Sequence, residues 1–244
     1  MRWDTAYVSP AGSSRFHGPP MTDLVQPPND ELDLGVAGAS ARREHERRRA
    51  NREQRTREAH PRIGGLLFTL KDDPRHEAVW ARGAGGEELA AAQFLKHCSP
   101  QVLVLHDRRI ARSRANIDHI AVCANGVWVI DSKRYKGEVE IRNPLFGKKT
   151  LRIAGRDQTK LITGLQKQVD VVKAVLAHSA PGVRVQGAVA FIGDGLPLLS
   201  KLSFDDVPIR YPKQLAKLLN GSGELTPEMV RAIAIELARQ FPSA

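Results

Sequence analysis

The sequence is short of three things, and each shortage closes off a class of protein. Its 244 residues include only two cysteines, Cys98 and Cys123, with no CxxC pattern and no nearby His pair at ligand spacing. A disulfide scaffold and a structural zinc site are therefore both unexpected, and a reducing, cytoplasmic setting fits best. No apolar run approaches the ~18 residues of a membrane span, and Met1–Pro10 lacks the apolar stretch of a secretion signal. No membrane association is expected. Nor does Gly-Lys-Ser or Gly-Lys-Thr follow the cluster Gly83-Ala84-Gly85-Gly86, so that cluster is not a phosphate loop.

What the sequence does have is positive charge. The net charge is +10 and the pI about 9.9, while the 41% hydrophobic and 26% charged fractions are ordinary for a globular protein. Residues 76 to 244 hold 24 Lys and Arg against 16 Asp and Glu, and the stretch from Arg108 to Lys160 alone holds 13 against 5. The surplus is thus confined to one segment, which predicts a positive surface and a polyanionic partner.

The chain divides by composition. Residues 1 to 40 are rich in Pro, Gly, Ser and Asp without helical or strand periodicity, and predict a disordered stretch. Arg42 to Glu58 carries eight Arg and four Glu, with Glu44/Arg48, Arg49/Glu53 and Glu53/Arg57 at helical pairing distance. It reads as a solvated charged helix, either an inert linker or a basic arm that follows phosphates. The expected organisation is a disordered region over 1–62 containing this helix, an α/β domain over 63–200, and a helical extension over 201–244 packed on the same domain.

Within the domain, the glycine cluster at 83–86 predicts a break before a helix from Glu87 to His97 with Leu89, Ala92 and Leu95 on one side. A strand follows over Gln101–His106, then a basic loop, then two strands, Asn116–Cys123 and Val127–Lys133, joined by Ala124-Asn125-Gly126. Asn-Gly between β-branched runs predicts a two-residue type I′ hairpin. An amphipathic helix over Asp157–His178, a strand over Val183–Ile192 and helices over Pro212–Asn220 and Thr226–Phe241 complete the pattern. The fold class is α/β, a mixed sheet flanked by helices.

The hairpin carries the chemistry. With Asn125 and Gly126 as turn residues, Asp118 is expected to face Lys133, and Asp131 to lie diagonally across on the same side. Diagonal neighbours are roughly 7 to 8 Å apart, a span that two carboxylates close by sharing a cation. Two acids and a lysine on an otherwise apolar face are costly to desolvate unless a metal offsets them. Phosphodiester hydrolysis needs such a cation, with a donor for the developing charge. Magnesium, or manganese in its place, would be held by Asp118, Asp131 and the Ser132 carbonyl, with Lys133 orienting the water or steadying the phosphate. The plainer alternative is a cross-strand ion pair on a solvent face.

The pattern Asn116-Ile117-Asp118, a gap of twelve residues and Asp131-Ser132-Lys133 resembles the PD-(D/E)xK nuclease superfamily, with its restriction-endonuclease-like core. More closely, GAGGE at 83–87, NIDHIAV at 116–122, GVWVIDSKRYKGEV at 126–139 and the helix bearing Gln168 resemble the nuclease-related domain family, NERD, over about residues 79–192. That resemblance implies that Asp118 and Asp131 are the metal carboxylates, Lys133 the catalytic lysine and Glu87 the acid of the first helix. Ile117 stands where the superfamily has proline, and Asp131 where it often has the longer glutamate.

Around this centre, Arg108, Arg109, Arg112, Arg114, Arg134, Lys136, Lys148 and Lys149 are the expected phosphate contacts, with Gln168 either beside the metal or at the surface. Glu88 is expected to be a surface residue at the helix start. His119 and Trp128 point away from the acids and are expected in the core. The function expected is metal-dependent hydrolysis of nucleic acid, DNA first and RNA as the other possibility. A binding module of the same fold without catalysis, and a basic surface for an acidic protein, are the alternatives.

Overall fold

A computed structural model describes residues 32–59, 61, 74–113, 115–145, 147–196 and 201–244. Its helices are α1 (Ala39–Ala59), α2 (Pro74–His97), α3 (Thr159–Ser179), α4 (Pro212–Leu219) and α5 (Pro227–Gln240). Its strands are β1 (Leu103–Arg109), β2 (Asn116–Cys123), β3 (Gly126–Arg134), β4 (Val139–Arg142), β5 (Thr150–Ile153), β6 (Arg156–Asp157), β7 (Val185–Ile192), β8 (Ser203–Phe204) and β9 (Val207–Arg210). Six form one mixed sheet in the order β1-β2-β3-β7-β9-β8, and β4-β5-β6 form a small second sheet. β3 pairs antiparallel with β2 and parallel with β7, so the mixed α/β class follows from the hairpin on one side and the α3 crossover on the other.

Strand alternation sends side chains into two cores. Ile120, Val122, Val127 and Val129 meet Leu165, Val169 and Val172 of α3 and Ile233 and Leu237 of α5. Ala121, Cys123, Trp128 and Ile130 meet Ala90 and Phe94 of α2 and Leu215 and Leu219 of α4. β3, covered on both faces, is buried from Gly126 to Ser132, as a central strand with helices on each side must be.

Three expectations about α2 and the segment before α1 differ from this structure. The glycine cluster does not break the chain, because α2 runs through it. A Cβ on Gly86 would come within 3.3 Å of Arg134 Cβ, so this glycine is where the helix crosses β3 at close range. The buried side of α2 is accordingly Gly86, Ala90 and Phe94, four residues apart, while Leu89 and Leu95 are exposed. Small residues win that face because they permit the approach. Finally, residues 32–38, placed in the disordered stretch, lie against edge strand β1. His106 N donates to Leu34 O at 2.7 Å, and Ala37 is buried. An edge strand presents unpaired backbone groups, and this segment satisfies one of them. The remainder of the expected disordered region, 1–31, lies outside the described residues.

Helix α1 spans 21 residues and buries none of them, as its charged sequence requires. Among the described residues, no helix is long and apolar enough to cross a membrane.

Candidate active site

The β2–β3 turn does not adopt the expected type I′ form. Cys123 pairs with Gly126 and Val122 with Val127, so Ala124 and Asn125 are the turn residues. Only Gly126 takes a positive φ, 123°, and a Cβ there would meet Arg184 O at 2.5 Å. Asn125 instead anchors the turn through its side chain. Its amide donates to Leu218 O at 2.8 Å, and its carbonyl accepts from Trp128 Nε1 at 2.8 Å. Tertiary hydrogen bonds thus outweigh the local preference for I′.

The register is consequently shifted by two residues from the expected one. Since side chains alternate with a period of two, a shift of two leaves every residue on its expected face and changes only its opposite number. Beyond His119↔Ile130, the next step of the ladder sets Asp118 opposite Asp131 rather than Lys133. On the other side, His106 pairs with His119 and Arg108 with Ile117, which sets Asp107 opposite Asp118. Asp107, Asp118 and Asp131 therefore occupy one rung across three adjacent strands.

Lys133 reaches back along β3 to this rung. Its Nζ lies 2.7 Å from Asp131 Oδ1, 3.4 Å from the Ser132 carbonyl and 3.9 Å from Asp118 Oδ2. The other held contact is the Ser132 amide, which donates to Asp118 Oδ2 at 2.7 Å. Glu87, in α2, faces the same space and accepts from the backbone N–H of Gly38 at 3.0 Å.

Electrostatics follow from this crowding. Burial, repulsion from Asp131 and then from Glu87 push Asp118 well above the usual carboxylate range, against the attraction of Lys133 and the Ser132 N–H. Burial and Asp107 push Glu87 up to about 7, with Gly38 N–H and Lys133 pulling the other way. Lys133 pays for desolvation, yet Asp131 and Asp118 hold it above the usual lysine value. Three carboxyl groups share one ammonium, so the site is short of positive charge.

Asp107 is the residue that sequence reasoning missed. It is buried with a φ of 50°, a left-handed conformation that Asp tolerates better than most residues. Its carboxylate accepts from Ser40 N at 2.6 Å, Ser40 Oγ at 2.7 Å and Asn116 Nδ2 at 3.0 Å. The expected strand stopped at His106, one residue short of it. Its place on the rung comes from the pairing of β1 with β2, which no local sequence signal marks.

Behind the rung, His119 is fully buried against Phe94, as expected. Its Nε2 lies 2.9 Å from Ser132 Oγ, and its Nδ1 2.8 Å from His106 Nδ1. This chain braces Ser132, whose amide holds Asp118. Burial and then His106 keep His119 well below the usual histidine value. Gln168 reaches the site's edge from α3, donating to Asn116 O at 3.3 Å, while its Oε1 is buried without a partner.

The expected phosphate contacts divide. Arg109 is exposed and lines a cleft of about 810 Å³ with Asp118, Glu87 and the first turns of α1. Arg112, Arg134, Lys136 and Lys148 are exposed, while Lys149 pairs with Asp205 at 3.0 Å and covers the Phe204 ring. Arg108 is a correction. Its side chain is fully buried, and its guanidinium donates to the Asp33 carboxylate and to the carbonyls of Asp33 and Phe241, which removes it from any phosphate. Arg114 lies outside the described residues.

Asp118, Asp131 and the Ser132 carbonyl are hard oxygen donors of the kind a magnesium-sized ion takes together with water. Among the described residues, no three His, Cys, Asp or Glu side chains form a ready-made cage. The donor set therefore fits an ion that keeps most of its water, and does not fit a fully protein-enclosed metal. Neither a curated protein nor a solved structure matches the chain. A family profile does match, and over residues 82–192 this chain carries a nuclease-related domain of the NERD family.

Proposed function

We propose that the domain is a metal-dependent nuclease that hydrolyses phosphodiester bonds, in DNA first and with RNA as the other candidate. The observation that carries this reading is the convergence of Asp118, Asp131, Glu87 and Lys133 at one end of the sheet, beside an open cleft with a basic flank. Asp118, Asp131 and the Ser132 carbonyl would hold magnesium or manganese. When bound, such an ion offsets charge on the phosphate and lowers the pKa of a water at the site. The deficit of positive charge around Asp118 and Glu87 supports its need.

The residues themselves supply the rest. Lys133, fixed by Asp131, presents an ammonium to charge that develops on the phosphate or orients the attacking water. The Ser132 amide holds Asp118 in place, and the His119–Ser132 contact keeps that strand from shifting. Glu87 contributes a third carboxylate from α2. Arg109 and the exposed basic residues would position the backbone without reading sequence.

The test uses the full chain with linear, circular and single-stranded DNA and with RNA, in magnesium or manganese and then in EDTA. Metal-dependent cleavage that falls by about 100-fold or more in Lys133→Ala, with binding retained, is the expected outcome. Salt-sensitive binding without cleavage in the unaltered protein would instead make it a binding module of the same fold.

A further inference from the structure

We infer that α1 is a wall of the substrate cleft, and that its arginines grip the phosphate backbone of the nucleic acid whose scissile phosphate lies at Asp118 and Asp131. This deepens the nuclease reading and rests on it for the placement of the substrate. Nothing in the matched span 82–192 covers this helix, which lies wholly before it.

Two observations set the geometry. First, the start of α1 is tied to the acids of the site. Gly38 N donates to Glu87 at 3.0 Å, Ser40 N and Oγ donate to Asp107 at 2.6 and 2.7 Å, and Arg42 pairs with Glu88. Carboxylates at the first amides of a helix satisfy donors that have no partner within it, so the contact fixes where the helix begins and the direction it leaves. Second, Ser40, Glu44, Arg47 and Arg48 line the cleft together with Arg109 and Asp118. Their spacing defines one stripe of the helix, which continues through Arg52 to Arg55.

None of the residues of α1 is fully buried, so burial of its own apolar side chains does not account for its place. Its eight arginines against four glutamates leave an excess of four positive charges beside a cleft whose floor is acidic. Arg47 and Arg48 both rest on Glu44, the first of them with a side chain 70% exposed. Exposed helical pairs of this kind are weak, and phosphates can take over their arginines. A strand lying along the stripe would meet Arg48, Arg52 and Arg55 over about 10 Å, at the ~1.5 Å rise per residue of a helix, before its backbone reaches Arg109 and the rung of aspartates.

The experiment measures binding of a labelled single-stranded and a duplex DNA, and of a single-stranded RNA, to the full chain in EDTA across a salt series. The comparison is with Arg47→Gln, Arg48→Gln, Arg52→Gln and Arg55→Gln combined, a variant that removes no buried side chain. A control neutralises Lys173, Lys213, Lys217 and Arg231, which are exposed on α3, α4 and α5. The α1 variant is expected to bind at least about tenfold more weakly near 100 mM salt, with the salt slope reduced by roughly 3, since each neutralised phosphate adds about 0.7 to 0.9 to that slope. Circular dichroism should show the helix intact, and the control should change neither affinity nor slope by a comparable amount.

Equal losses in the two variants, or none in the α1 variant, would overturn the inference, as would a chain that binds no nucleic acid. In the case of no loss, α1 would be left as a surface for an acidic protein. Because binding is read without metal, the outcome is independent of cleavage. A chain that never cuts but loses grip in the α1 variant supports the wall and refutes the nuclease. One that cuts while the variant binds normally does the reverse.

Discussion

The molecule keeps its two charged regions under opposite conditions. At the end of the β2–β3 hairpin, Asp107 and Asp131 are buried, and each acid there has named partners within 3 Å. Along α1 the arginines other than the half-buried Arg52 are exposed, and Arg47, Arg48 and Arg57 pair with glutamates three or four residues away on the same helix. Buried charge is held by the fold and fails if one member is removed. Exposed charge is interchangeable and counts by its sum. A single substitution should therefore be decisive in the first region and barely measurable in the second.

Asp118→Asn breaks the comparison most sharply. It should lower metal-dependent cleavage by about a thousandfold, the scale expected when a metal or transition-state interaction is removed. It should also raise thermal stability in EDTA, by about 1 kcal/mol, since burial and the neighbouring acids disfavour the charged form in the folded protein. A variant that loses activity and stability together would show the acid to be a structural ion pair.

Arg108 and Arg109 test the same contrast within one strand. Arg108→Ala should cost on the order of 3 kcal/mol in denaturant unfolding, through poorer packing and unpaired carbonyls, and leave nucleic-acid affinity per folded molecule unchanged. Arg109→Ala should do the opposite, shifting stability by less than about 0.5 kcal/mol and weakening binding several-fold. Similar stability losses in both would remove the distinction.

The effect confined to acid pH concerns His106. Burial, and then Arg108, bring it down from 6.5 to about 4, with Asp107 pulling it the other way. The unfolded chain thus takes up the proton first as pH falls. The contribution to stability is complete above about pH 6.5 and is lost as pH drops towards 4; its size is on the order of 3 kcal/mol. Urea titrations across that window should show the loss, and His106→Gln should flatten it.

How much of this was legible in the sequence depends on how local the cause is. The hairpin, the common face of Asp118, Asp131 and Lys133, and the burial of His119 and Trp128 follow from strand alternation, which a two-residue shift of register preserves. The shift itself was not legible, because Asn125 is recruited by Leu218, 93 residues away. Asp107 and Arg108 were equally hidden. In the sequence they open a basic loop, and only the pairing of β1 with β2 and the packing of Asp33 on β1 give one a place on the rung and the other a place inside. The core face of α2 was misread for a related reason: Gly86 and Ala90 carry almost no hydrophobic signal, and their value lies in how near they let β3 come.

The Asn125 anchor bears on whether the matched span is portable. Residues 82–192 contain every acid of the rung, yet Leu218, which receives the Asn125 amide, lies downstream of them, and so does β9, the neighbour of β7. A graft cut at 192 would leave the turn untethered and one flank of the sheet without its next strand. The spacing of the carboxylates is thus guaranteed from outside the segment that carries them.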